Sequence, residues 1–291
     1  MSTQPSRGRF RSAAILAAAA GLIAPAAASA GPGGLSYVTK QQASHPGDIA
    51  MAEAECPEGE DVMGGGVWAI GGYGRQHLHT TTLWGSEAGI DSWLGRVVNR
   101  TSKPSRAAPK VKPIPFRTTV ICGESIAAGG LDAGEIQPGT LGDLWGGGCP
   151  GGTSISGGGI LLGGTEETRV TQTYPLQDDG WFASAYNPGA NHPAYAAVRV
   201  VCAAGTFSYP MKTKTVGPHE QGRVQQRCPN GTHVTGGGVW VDGDKKTAYV
   251  NSSYPRDLND ADSAPDDAWM AHVDNLASSS RDIAVRAICK A

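Results

Sequence analysis

The sequence predicts an all-β protein built from three antiparallel, pseudo-symmetric copies of one unit of roughly 80 residues. Three observations carry this expectation. The pattern C-P-x-G-x-x-[VI]-x-G-G-G occurs three times, starting at Cys56, Cys149 and Cys228. A second pattern, D-x-W-x5-N, follows each, placing Trp93, Trp181 and Trp269 six residues before Asn99, Asn187 and Asn275. No useful length of chain carries the 3.6-residue helical period, whereas short apolar runs between Gly- and Pro-rich turns recur throughout.

In chain order, residues 1–30 read as a secretory signal peptide. Arg7, Arg9 and Arg11 form its basic region. Ala13 to Ala24 form an apolar run too short to span a bilayer, and Ala28-Ser29-Ala30 offers a cleavage site near Ala30. The expected product is secreted, extracellular or periplasmic. Residues 31–35 are a short flexible lead, and the copies occupy 36–123, 124–203 and 204–291. Copies one and three open on the same dipeptide, Ser36-Tyr37 and Ser208-Tyr209, twenty residues before their Cys. Pro46, Pro138 and Pro218 precede each Cys at a similar distance.

The Gly triplet of each copy runs into an apolar strand, such as Val67-Trp68-Ala69-Ile70. Gly71-Gly72, Gly163-Gly164 and Asp242-Gly243 then mark hairpin turns. The next strand is rich in Thr and Ser and ends on Trp84, Tyr174 or Tyr254. In the D-x-W strand, Trp93, Gly95, Val97 and Asn99 share one face by period-two alternation. A polar loop, with a Pro-rich insertion in copy one, leads to a closing strand that ends in the second Cys. This gives about five strands per copy.

The six Cys of an exported chain are expected to pair. Six allow 15 pairings, but the repeat singles out pairing within copies: Cys56–Cys122, Cys149–Cys202 and Cys228–Cys289. No C-x-x-C is present to suggest a zinc ribbon or a redox centre.

Three consecutive Gly in a strand need a reason, because Gly weakens a strand unless something approaches closely. The expectation is that Trp93, Trp181 and Trp269 are core residues covering Gly65, Gly158 and Gly237. Asn99, Asn187 and Asn275, recurring in all three copies, read as structural.

Charge narrows the partners. The chain has 24 Lys and Arg against 26 Asp and Glu. Cleavage near Ala30 removes three Arg and no acid, leaving 21 against 26, a net charge of −5. No basic run stands out, which argues against nucleic acid and anionic membrane surfaces. After cleavage no segment is long and apolar enough to hold the protein in a membrane.

The opening Cys motif, the D-x-W-x5-N strand and the closing Cys strand together resemble a repeat of secreted bacterial proteins, notably of actinobacteria, to which no activity is attached. The likeness covers nearly all of 36–291. More distantly, the Cys segments resemble those of the vitelline membrane outer layer protein family. That resemblance implies a β-prism of three antiparallel sheets and a secreted protein of a family without a settled enzymatic role. The copies are longer than in that family, and the Gly triplet and D-x-W-x5-N strand are not part of its pattern. The competing arrangement is three small β-sandwich units in tandem.

Few residues suggest chemistry. His77 and His79 form an H-x-H that would give two zinc ligands, but no third can be named and copies two and three lack it. Asp257, Asp260, Asp262, Asp266 and Asp267 crowd one loop without the order of a calcium-binding motif. No metal or cofactor is therefore expected. No G-x-S-x-G, H-E-x-x-H or phosphate loop occurs. Trp84, Tyr174 and Tyr254, at similar places in the three copies, are the candidate ligand-binding residues and suit weak multivalent sugar binding. The functional expectation is a secreted, non-enzymatic protein binding an extracellular or cell-surface polymer, with carbohydrate foremost. A structural envelope or matrix protein without ligand is the alternative, and a secreted hydrolase with its site in the divergent loops is the second.

Overall fold

Each copy folds into six principal strands, one more than its sequence suggests, because the segment before each Cys is a hairpin. The computed structural model describes residues 27–85, 91–102, 112–124, 126–258 and 262–291. Of the expected signal peptide, residues 1–30, residues 1–26 lie outside them and Ala27–Ala30 form a strand. A short strand, β1 (Ala27–Ala30), precedes copy one, which contributes β2 (Ser36–Ser44), β3 (Ile49–Glu55), β4 (Asp61–Ala69), β5 (Gln76–Trp84), β6 (Ser92–Asn99) and β7 (Ile114–Gly123). Copy two contributes β8 (Ile126–Ile136), β9 (Thr140–Gly147), β10 (Ser154–Gly163), β11 (Arg169–Pro175), β12 (Gly180–Asn187) and β13 (Ala194–Ala203). Copy three contributes the two-residue β14 (Phe207–Ser208), then β15 (Met211–Val216), β16 (Gln221–Arg227), β17 (His233–Val241), β18 (Ala248–Arg256), β19 (Ala268–Asn275) and β20 (Arg281–Lys290). Among the described residues there is no α-helix.

The additional hairpin turns on the recurrent prolines. Pro46, Pro138 and Pro218 are each followed by a residue with positive φ: Gly47 at 71°, Gly139 at 72° and His219 at 54°. Pro pre-sets the first corner of such a turn and Gly tolerates the second. Copy three places His219 in the left-handed region, where most side chains are disfavoured.

Three antiparallel sheets result, and no sheet belongs to one copy. The first runs β1-β2-β7-β4-β18-β19-β16, the second β3-β6-β5-β10-β13-β8, and the third β14-β20-β17-β11-β12-β9 with β15 also on β20. Each copy gives its first, third and sixth strands to one sheet and its second, fourth and fifth to the next. The arrangement is prism-like rather than three separate sandwiches, since every sheet is half one copy and half another. The halves meet at the residue after each Gly triplet: Val67 pairs with Ser253, Ile160 with Thr81 and Val239 with Thr173.

The three glycines of each triplet have three different neighbours. A Cβ on the first would strike the backbone of another copy's triplet strand: Gly64 against Thr235, Gly157 against Met63, Gly236 against Ser156. β4, β10 and β17 therefore close a ring of contacts about a pseudo-three-fold axis. A Cβ on the second would lie 2.5 Å from the indole of the same copy's Trp: Gly65 under Trp93, Gly158 under Trp181, Gly237 under Trp269. A Cβ on the third would strike the neighbouring copy's strand, Gly66 against Ser253, Gly159 against Thr81 and Gly238 against Thr173. Side chains are thus excluded at all three places by backbone or by a fixed ring.

Each Trp is buried and its indole N–H donates to a hydroxyl at the junction between copies: Trp93 to Thr81 at 3.0 Å, Trp181 to Thr173 at 2.8 Å and Trp269 to Ser253 at 2.8 Å. Each Asn holds a strand end. Asn99 Nδ2 donates to Ser44 O, Asn187 Nδ2 to Ile136 O and Asn275 Nδ2 to Gly217 O. Their Oδ1 atoms accept from the N–H two residues on, at Thr101, Gly189 and Ala277, an Asx turn. Disulfides join Cys56 to Cys122, Cys149 to Cys202 and Cys228 to Cys289. Such bonds persist in oxidising compartments. No helix among the described residues is long and apolar enough to cross a membrane.

Candidate functional site

Strand register shows that Trp84, Tyr174 and Tyr254 do not occupy equivalent positions. The invariant Trp residues pair with Leu83, Pro175 and Pro255. One residue before these partners stand Thr82, Tyr174 and Tyr254; one residue after stand Trp84, Leu176 and Arg256. Trp84 is 38% exposed at the end of β5, apart from the positions of the two Tyr. Aligning the copies on their last aromatic displaces copy one by two residues.

Tyr174 and Tyr254 are equivalent, and each lines a groove together with a Trp from another copy. The Trp residues are Trp240 and Trp68, both on the strand that carries the Gly triplet. On the first sheet Trp68 stacks on Tyr254 with ring centroids 5.3 Å apart and planes 13° from parallel. The Arg117 guanidinium lies 5.2 Å from the Trp68 ring, and His272 meets the other side of Tyr254 edge-on at 5.9 Å. Arg223 Nε and Arg256 Nη1 reach Met270 Sδ at 3.2 and 3.3 Å, and the Tyr254 hydroxyl donates to the same sulfur. A row of stacked side chains therefore crosses the join between copies, flanked by three arginines. Trp68 is half-buried, whereas Tyr254 is 8% exposed. A groove of about 380 Å³ runs over them, lined by Trp68, Tyr254, Arg117, Arg223 and Arg256.

The third sheet repeats the theme. A groove of about 240 Å³ is lined by Tyr174, Trp240, Met211 and Arg286. Tyr174 contacts Phe182 at 5.7 Å, and Lys245 lies 5.1 Å over the Phe182 ring. Arg286 Nη1 donates to Pro175 O at 2.8 Å. On the second sheet the corresponding places hold Leu161 and Thr82, so it lacks the aromatic pair. Burial pushes the Tyr254 hydroxyl up to about 12 and raises that of Tyr174, so both act as neutral donors and acceptors.

The other candidates have local partners. His79 is the bulged residue of β5, where Leu78 pairs with Val97 and Thr80 with Arg96; its Nδ1 lies 3.2 Å from Thr80 Oγ1. His77 is buried nearby. Among the described residues no group of three or more His, Cys, Asp or Glu is placed to hold a metal ion. In the acidic loop, Asp266 Oδ2 bonds His233 at 2.7 Å and Asp267 Oδ2 accepts from Leu258 N–H. Asp262 Oδ1 accepts from Ala264 N–H, and Asp260 lies outside the described residues.

Sequence reasoning missed Trp68 and Trp240. Their signal was present, since both follow the Gly triplet by two residues, but they looked like ordinary strand residues. Comparison of the chain with protein-family models and with curated proteins gave no match.

Proposed function

We propose that this is an exported, non-enzymatic binding protein that holds an extracellular or cell-surface polymer, carbohydrate foremost, in the grooves over Trp68–Tyr254 and Trp240–Tyr174. The observation that carries the reading is that a Trp and a Tyr line one groove beside arginine at two equivalent junctions, and are stacked in the first. A core requirement alone would place aromatics there in the second sheet too, and Leu161 and Thr82 stand there instead. Sugar rings present apolar C–H faces beside hydroxyls, and aromatic rings next to fixed hydrogen-bond donors complement both.

Two sites on different sheets of one chain add avidity when a polymer offers many repeats. Being on different sheets, they also suit bridging of separate chains. The signal-like N-terminus and three disulfides support export, and the resemblance to secreted three-repeat proteins agrees with it. Nothing in the charge pattern favours nucleic acid or membrane as partner.

The test is co-sedimentation of the purified protein with cellulose, chitin, purified cell walls and an acidic polysaccharide. Saturable binding that falls in Trp68→Ala and Trp240→Ala supports the reading. Absence of binding to every polymer leaves a ligand-free envelope or matrix protein as the better description.

A further inference from the structure

A second, independent site lies where one end of the pseudo-three-fold axis meets the boundary between copies one and two. Register makes His77, Arg169 and Tyr249 equivalent: each directly precedes the residue (Leu78, Val170 or Val250) at which the bulge of β5, β11 or β18 begins. The three converge. His77 and Tyr249 meet edge-on with centroids 5.6 Å apart, and the Arg169 guanidinium lies 5.4 Å from the Tyr249 ring. Arg100, from the end of β6, approaches the same ring at 5.5 Å. A cavity of about 500 Å³ opens beside them, lined by His77, Arg100, Arg169, Glu166 and Glu167.

Three features are costly for a purely structural plug. His77 is 2% exposed, and neither ring nitrogen makes a well-formed hydrogen bond, although the Thr168 backbone is near enough to act on it. Among the described residues Arg169 Nε is buried without a partner, while its Nη2 donates to Lys246 O at 3.1 Å. The Arg100 and Arg169 charges oppose each other, and both oppose a charge on His77. Buried polar groups without partners cost free energy, and three apolar side chains would fill the axis at less cost. Acids offset part of this charge from the outside: Asp274 acts on Arg100 and Glu167 on Arg169, while among the described residues no acid acts on His77. Asp274 is bound by Gly74 N–H and Gln221 Nε2, while Glu166 and Glu167 sit exposed at the mouth.

We propose that this cavity binds a small monocarboxylate, its carboxylate held by Arg100 and Arg169 with an N–H of His77 donating from the buried side. A guanidinium presents parallel donors that match the two oxygens of a carboxylate. The two glutamates at the mouth disfavour a second negative charge, so the rest of the ligand is neutral or cationic. The site is made by copies one and two together, and the third equivalent position contributes the Tyr249 ring against which the guanidinium groups rest.

Side-chain NMR of His77 during titration with acetate, 4-aminobutyrate and sulfate tests this on the purified protein. The expected result is saturable movement of the His77 ring signals with 4-aminobutyrate and an upward shift of its titration, because an anion beside the ring favours the charged form. Arg100→Gln, at an exposed position, should weaken binding at least about tenfold, while Arg117→Gln in the sheet groove should leave it unchanged. Unmoved His77 signals at saturating ligand, or wild-type affinity in Arg100→Gln, would overturn the proposal. Sulfate bound as tightly as the carboxylates would overturn the carboxylate assignment. Polymer binding in the grooves is read separately, so either site can fail alone.

Discussion

Trp93 lies directly over Gly65, so close that a single added carbon on the glycine would stand 2.5 Å from the indole. The same relation holds for Trp181 over Gly158 and Trp269 over Gly237. The ring occupies the space that the missing side chain leaves, and its N–H reaches across to the strand that joins the next copy. One residue pair in each copy thereby couples local packing to assembly of the three sheets.

Gly65→Val, Gly158→Val and Gly237→Val should each destabilise strongly, despite the β-propensity of Val. Overpacking of a close-packed core costs typically about 1–3 kcal/mol, and here the strand backbone at Thr119, Arg199 or Arg286 blocks retreat on one side. Thermal melting reads the loss. Unchanged melting in all three variants would refute the packing account.

Removing the indole acceptors should cost less but recur three times. Thr81→Val, Thr173→Val and Ser253→Ala each leave a buried N–H without its partner, a loss of about 1–3 kcal/mol. The effect should be similar in the three copies, because the bonds are of similar length. Denaturant melts that spared one copy would show that its Trp is held by packing alone.

The three disulfides should contribute about equally. They span 66, 53 and 61 residues, and loop-closure entropy varies only as the logarithm of length. Replacing any one pair by Ser should cost about 2–5 kcal/mol, with little hierarchy among them in equilibrium unfolding.

Stability should decline on mild acidification. Burial holds His79 and His272 at about 4, and burial with the nearby Arg100 charge pushes His77 down as well. An unfolded chain protonates these rings near 6.5. As pH falls below that value, the unfolded state takes up protons that the folded state refuses, so stability present above it is lost down to about 4. Each such group supplies a slope of up to about 1.4 kcal/mol per pH unit. Asp266 and Asp274 act oppositely: burial raises both, so the folded state protonates first and part of the loss is offset near the acid end. Melting temperatures from about pH 7 to about 4.5 should fall less steeply in His79→Gln and His272→Gln than in the wild type.

Much of the fold was legible because the sequence repeats itself. Recurrence of Cys, Gly triplet, Trp and Asn revealed the copies, and pairing within copies followed. The split of each copy between two sheets was not legible, because period-two alternation reports which face is buried and not which strand lies alongside. The turn at Pro46-Gly47 was written plainly, yet its counterpart at Pro218 is followed by His219, which hides the hairpin in copy three. The candidate grooves were harder still. Tyr254 was visible, but its partner Trp68 is 186 positions away in the chain and meets it only because the first sheet joins copy three to copy one. Copy one has Thr82 where the others have Tyr174 and Tyr254, so aligning the strands on their last aromatic misplaced Trp84 by two residues.

The most direct test of the two-groove account is light scattering of a soluble form of a polymer that the protein binds, titrated with wild type, Trp68→Ala, Trp240→Ala and the double variant. The account predicts that wild type bridges polymer chains and raises scattering. Each single variant should bind without bridging, and the double variant should not bind. Full binding and bridging by the correctly folded double variant would contradict it.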